Sequence, residues 1–138
     1  MVFENVNYIG IIAAAVSYMI VGALWYSKAL FAKQWMKATG MTEAQINAGK
    51  KDMPMTYGGM FIGAIVASFV LSVFIRFAGV NDIVSAAHVA FWAWLGFVAT
   101  VILGSVLFEK KGWAYFGVTA GYQLVAMVIA AAILVTLK

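Results

Sequence analysis

The sequence predicts an all-α fold: a polytopic integral membrane protein, built as a four-transmembrane-helix bundle with a short amphipathic interfacial helix between the first and second spans. Three observations carry this. Hydrophobic residues fill 65% of the 138 positions and charged residues only 10%, whereas a soluble domain carries about a quarter charged. A soluble fold of this size exposes much of its area and has nowhere to hide so much apolar surface. Finally, four apolar stretches, each near the roughly 20 residues that a crossing needs, follow one another without an internal acid.

The spans fall at about residues 8–26, 55–77, 83–107 and 113–137 of a single membrane domain, residues 1–138, with a long connection over 27–54. Backbone amides in hydrocarbon must be paired within the segment, so each stretch is expected to be helical despite its Val and Ile content. Residues 1–10 lack a basic n-region and carry Glu4. No A-x-A-like site follows the first apolar run, which therefore reads as a retained span rather than a cleaved signal peptide.

Lysine placement sets the expected orientation. Lys28, Lys33, Lys37, Lys50 and Lys51 lie in the first connection and Lys110 and Lys111 in the third, against only Arg76 and Lys138 on the opposite side. Basic residues favour the cytoplasmic side, so both termini are expected outside the cytoplasm, in a bacterial inner membrane. The interfacial anchors Trp25, Tyr26, Trp35 and Trp113, with Tyr57 and Tyr115, gather at the proposed inner boundary, and Tyr8 lies at the outer one.

Within the first connection, Leu30, Phe31 and Trp35 oppose Lys28, Lys33 and Lys37, a pattern that suits a short helix in the headgroup layer. Gly40 ends it. Thr42 reads as an N-cap with Gln45 as its capping-box partner, opening a second short helix to about Lys50. Pro54 stands at the entrance to the second span, where a missing amide costs little. A weak internal repeat relates Leu30-Phe31, Trp35, Tyr57, Gly59 and Gly63 to Leu107-Phe108, Trp113, Tyr115, Gly117 and Gly121, as in a duplicated two-span hairpin.

The chain has no cysteine, which excludes disulfides, thiolate metal sites and cysteine nucleophiles. No basic face or motif points to nucleic acid. The glycine pairs Gly59 and Gly63, and Gly117 and Gly121, with the strip Gly96, Thr100 and Gly104, offer flat faces for helix packing, within the bundle or between subunits. All five acids, Glu4, Glu43, Asp52, Asp82 and Glu109, lie at span ends or in connections. A proton-coupled exporter usually needs a carboxylate within the membrane, so that class is disfavoured. His88 is the only histidine and cannot by itself anchor a haem pair or a zinc site.

A thin polar lining is expected instead from Ser68, Ser72, Thr100, Tyr122 and Gln123, with Ser17, Tyr18 and Thr119 nearby and His88 toward the outer end. Gln123 stands out, because it is mid-span and has both donors and acceptors to satisfy. Arg76 is expected to snorkel to the surface and pair with Asp82. Trp92 and Trp94 point to different faces of the third span, one of them a candidate pocket wall. Met53, Met55 and Met60 make at most a faint soft-metal pattern. No nucleophile–base pair, phosphate loop or metal cluster is present, and no cofactor is implied.

The run Gly22-Ala23-Leu24-Trp25-Tyr26, followed by Leu30-Phe31 and Trp35, resembles the bacterial membrane family catalogued as domain of unknown function 1761. Asn7-Tyr8 before the first span matches that family's opening. Gly96-Phe97 with Thr100, Leu107-Phe108-Glu109 with Trp113, and Gly121-Tyr122-Gln123-Leu124 extend the match over nearly the whole chain. The resemblance implies four spans and a bacterial inner membrane, and it implies no activity. A histidine is common in the family where this chain has Gln123, so any metal or proton role of that position in relatives is not expected here.

The function expected is that of a non-enzymatic homo-oligomer that binds or passes a small neutral or apolar molecule; the alternative is an accessory subunit of a larger membrane complex. The orientation has a direct test. Alkaline phosphatase fused after Lys138 is expected to be active and a fluorescent protein at the same position dark; the reverse pattern overturns the topology.

Overall fold

The computed structural model describes residues 6–137, so Glu4 and Lys138 lie outside it. Its helices are α1 (Tyr8–Trp25), α2 (Ala32–Thr39), α3 (Glu43–Ala48), α4 (Met53–Ala78), α5 (Ile83–Trp94), α6 (Thr100–Phe108) and α7 (Trp113–Thr136), and no strand occurs among the described residues. Four helical runs are long and apolar enough to cross a membrane.

Local chemistry explains most helix boundaries. Asn7 caps α1: its Oδ1 accepts from the Gly10 amide at 3.0 Å, and its Nδ2 donates to the Leu137 carbonyl at the far end of α7. Thr42 and Gln45 form the expected capping box. Gly40 ends α2 and Gly79 ends α4, at φ of 75° and 70°, a conformation that glycine adopts without Cβ strain. Asp82 caps α5 by accepting from the Ser85 amide at 2.9 Å. Hydrogen bonds from Ser85 hold that carboxyl below the usual carboxylate range.

Three expectations need correction. No loop separates the second short helix from the second span. A 3₁₀ turn, Gly49–Asp52, joins α3 directly to α4, giving a helical run of 36 residues; Pro54, at the start of α4, is tolerated there because first-turn amides have no partner within a helix. The third span is also not a uniform α-helix. Leu95–Ala99 forms a π-turn between α5 and α6. The interfacial helix begins later than its apolar pattern suggested, at Ala32, because Ser27–Phe31 is a hydrogen-bonded turn instead.

α7 is the centre of the bundle. It packs along α1 on one side and α5 on the other, while α4 reaches it mainly through α1. The core is built from small residues, with Ala14, Ala15, Ala86, Ala90, Ala126, Ala130 and Ala131 all fully buried. In lipid, helices gain little from burying apolar area, so small residues that allow close backbone approach, and hydrogen bonds between helices, do the joining. The Trp25 indole donates to the Val118 carbonyl at 2.9 Å. The Trp94 indole donates to the Ala120 carbonyl at 2.8 Å. The Tyr122 hydroxyl donates to the Tyr18 carbonyl at 3.1 Å. A carbonyl oxygen has two lone pairs, so α7 can accept these indoles and keep its own helical bonds.

Glycines make room for two of these donors. A methyl group placed on Gly121 would stand 3.1 Å from Cζ2 of Trp25, and one on Gly22 would stand 3.3 Å from the Tyr122 hydroxyl. Each helix thus supplies a flat seat for an aromatic side chain of the other. The remaining expected packing glycines, Gly59, Gly63, Gly96, Gly104 and Gly117, have no other described element within 4 Å of the place a Cβ would take. Gly63 and Gly121, counterparts in the proposed repeat, therefore occupy unlike surroundings.

This contrast is testable. Gly121→Val is expected to destabilise the protein in detergent by about 1–3 kcal/mol, the usual cost of overpacking, seen as a lower thermal midpoint. Gly63→Val is expected to stay within about 0.5 kcal/mol of the parent, as at unpacked surface positions. Equal losses would contradict the assignment of Gly121 as the packed glycine.

Candidate functional site

α4 and the third span are both attached to the core, but hardly to one another. α4 makes only limited contact with α5, and no substantial contact joins α4 to α6. Between them opens a lateral groove of about 430 Å³, within the range of about 300–1,000 Å³ typical of small-molecule sites. Ala67, Val70, Leu71 and Phe74 of α4 form one wall, and Ala93, Phe97 and Val98 the other. Tyr18, Gln123 and Met127 form the floor. No lining residue is charged.

Sequence spacing alone places Val70, Leu71 and Phe74 on one side of α4. The opposite wall is less regular. Phe97 and Val98 sit within the π-turn, where one residue more per turn shifts the direction of the following side chains; such bulges recur at functional sites. Phe74 and Phe97 approach across the groove, with ring centroids 6.5 Å apart and planes tilted by 56°.

The polar residues singled out by the sequence do not form one path. The Ser72 hydroxyl donates to the Phe69 carbonyl at 2.6 Å, and Thr100 donates to the Gly96 carbonyl at 2.8 Å. Ser17 donates to the Ala14 carbonyl at 2.6 Å. Each serves its own helix. His88 is exposed and lies 3.0 Å from the Val84 carbonyl, likewise within its own helix. Ser68 is fully buried, with a hydroxyl that has no hydrogen-bond partner. Tyr122 is a core residue tied to α1. Of the residues expected along the polar path, Gln123 and Tyr18 line the groove. No hydrogen bond from the described residues engages the Gln123 amide.

Tyr18 shares the floor with Gln123. It is 6% exposed, and its hydroxyl likewise makes no hydrogen bond with the described residues. The sequence marks it only as a tyrosine halfway along the first span, and its pairing with Gln123 depends on how α1 rotates against α7. Trp92 is largely exposed and Trp94 is committed to α7; neither lines the groove. Met55 and Met60 are exposed, and no group of three or more His, Cys, Asp or Glu residues placed to hold a metal ion occurs among the described residues.

A second constellation lies at the end of the bundle that carries α2. Tyr26 packs between Trp35 and Tyr122, with centroid distances of 6.0 and 5.5 Å. Trp25 lies 4.6 Å from Phe31. Lys111 lies over the Tyr115 ring at 5.6 Å. These rings explain why the Gly22–Tyr26 run and the Gly121-Tyr122 pair occur together: they form the two sides of one joint.

A family model described as "Protein of unknown function (DUF1761)" matches residues 9–135, the whole span of this joint and of the groove. The chain belongs to this family. Membership in DUF1761 fixes no activity, since its description states none. No curated protein and no solved structure matches. The DUF1761 match does include both the aromatic joint and the Tyr18–Gln123 floor.

The two classes of polar residue are expected to respond in opposite ways. Gln123→Leu removes an amide with no partner among the described residues and should raise the thermal midpoint in detergent, by the equivalent of about 1 kcal/mol. Tyr122→Phe removes a bond between helices and should lower it, by about 0.6 kcal/mol and at most about 1.7. A loss of stability in Gln123→Leu would mean that the amide is used inside the fold.

Proposed function

We propose that this protein is a non-enzymatic membrane protein that binds a small neutral or apolar molecule in the groove between α4 and the third span, and passes it along or holds it there. The observation that carries this reading is the groove itself: apolar walls, open sideways, with the Gln123 amide unengaged on its floor. An uncharged lining suits an uncharged ligand, because a charge there would face hydrocarbon without a partner. The reading places the protein in the bacterial inner membrane, both termini outside, in keeping with the lysine distribution.

A homo-oligomer completes the proposal. Every residue from Pro54 to Met60 is exposed, as is Gly63, so the first half of α4 offers another helix a close approach. The same face supports the alternative, an accessory subunit seated on a larger complex.

Native mass spectrometry after gentle extraction separates the two. The expected result is a multiple of the 14.9 kDa chain with additional small neutral mass, which is lost in Val70→Trp, where the indole fills the groove mouth. Assemblies containing other polypeptides, without a bound small molecule, would favour the subunit and overturn the binding proposal.

A further inference from the structure

We propose that the groove selects a neutral, lipid-soluble carbonyl compound, held by the Tyr18 hydroxyl and the Gln123 amide together; this rests on the binding function proposed above. Apolar walls cannot supply the selection. A ligand arriving from the bilayer leaves one hydrocarbon environment for another, so its burial yields little free energy in itself. What the lipid lacks and the groove offers is hydrogen bonding. Tyr18 and Gln123 are the only polar side chains in the lining, and neither makes a hydrogen bond with the described residues.

Their chemistry defines the complementary group. A phenol contributes one donor and a primary amide two, and both oxygens can also accept. The single group able to take an O–H and an N–H together is an oxygen with two lone pairs and no proton of its own, a carbonyl oxygen. Tyr18 is buried at 6% exposure, so its hydroxyl has little access to water as a substitute partner. A polar group left unmade in such surroundings carries a cost, and a matching acceptor removes it.

Depth excludes the commonest carbonyls in the membrane. Gln123 is about 15 Å along α7 from Trp113, at about 1.5 Å per residue, which places the floor near the middle of the hydrocarbon layer. Ester groups of bilayer lipids lie at the interface instead. The ligand is then a molecule that dissolves within the bilayer and carries its carbonyl there.

The test compares two probes of one shape, 2-methyl-1,4-naphthoquinone and 2-methylnaphthalene, by equilibrium dialysis against the full chain in lipid nanodiscs, with protein-free discs subtracted. The chain has no cysteine, so the quinone meets no thiol to add to. Its affinity is expected to exceed that of the hydrocarbon about fivefold to tenfold, the equivalent of one or two hydrogen bonds. Tyr18→Phe and Gln123→Leu should each bring the two affinities toward equality. Neither substitution removes a hydrogen bond made within the fold.

Val70→Trp should abolish binding of both probes. Equal affinity for the two in the parent chain overturns carbonyl selection and leaves the groove as a binding site. Absence of any binding that Val70→Trp removes overturns the groove reading itself. Discs of ether-linked and ester-linked phosphatidylcholine should give the same preference; a preference confined to ether-linked discs would make a lipid ester the occupant and contradict the depth argument.

Discussion

The fold depends on how α7 is held in a solvent that does not drive helices together. Lipid tails are as apolar as the leucines and valines facing them, so association rests on close backbone approach and on hydrogen bonds. Three of those bonds come from aromatic side chains, two to α7 backbone carbonyls and one from α7 to α1. Gly22 and Gly121 make the α1–α7 contact reciprocal, each seating the aromatic residue of the other helix. Trp94 repeats the device on the α5 side. A central helix fixed on both flanks gives the other elements a frame.

The groove follows from that frame. α7 engages α1 and α5 closely, so α4 joins chiefly through α1 and stands apart from α6. The π-turn at Leu95–Ala99 re-aims the facing wall at the same level. An opening between two walls that share a floor but scarcely touch is the geometric result. Its polarity is confined to two side chains that the helix–helix joints do not use.

The number, order and approximate limits of the spans were legible in the sequence, because the bilayer imposes a length and an apolar composition that hardly any other solvent does. So were the cap at Thr42 and the stop at Gly40, which depend on neighbours a few residues away. Gln123 was also visible, as a mid-span amide. Tyr18 was visible in the same way, as a mid-span phenol, but its pairing with Gln123 was not, because that arises from the mutual rotation of α1 and α7. Nor could spacing tell a packed glycine from an unpacked one: Gly121 meets Trp25, while Gly59 and Gly63, in an equally good motif, meet no other described element. The π-turn escaped because Leu95–Ala99 is as apolar as the helices on either side of it.

The spanning helices are unequal in length. α1 has 18 residues and α4 has 26, about 27 Å and 39 Å at about 1.5 Å per residue, on either side of a hydrocarbon thickness of about 30 Å. The bilayer must thin against α1, or α4 must lean, each at a cost of fractions of a kcal/mol per Å. These two helices are packed together, so a change in membrane thickness acts on the angle between them. α4 also carries a wall of the groove, and the width of that opening is thereby coupled to the thickness of the membrane around it.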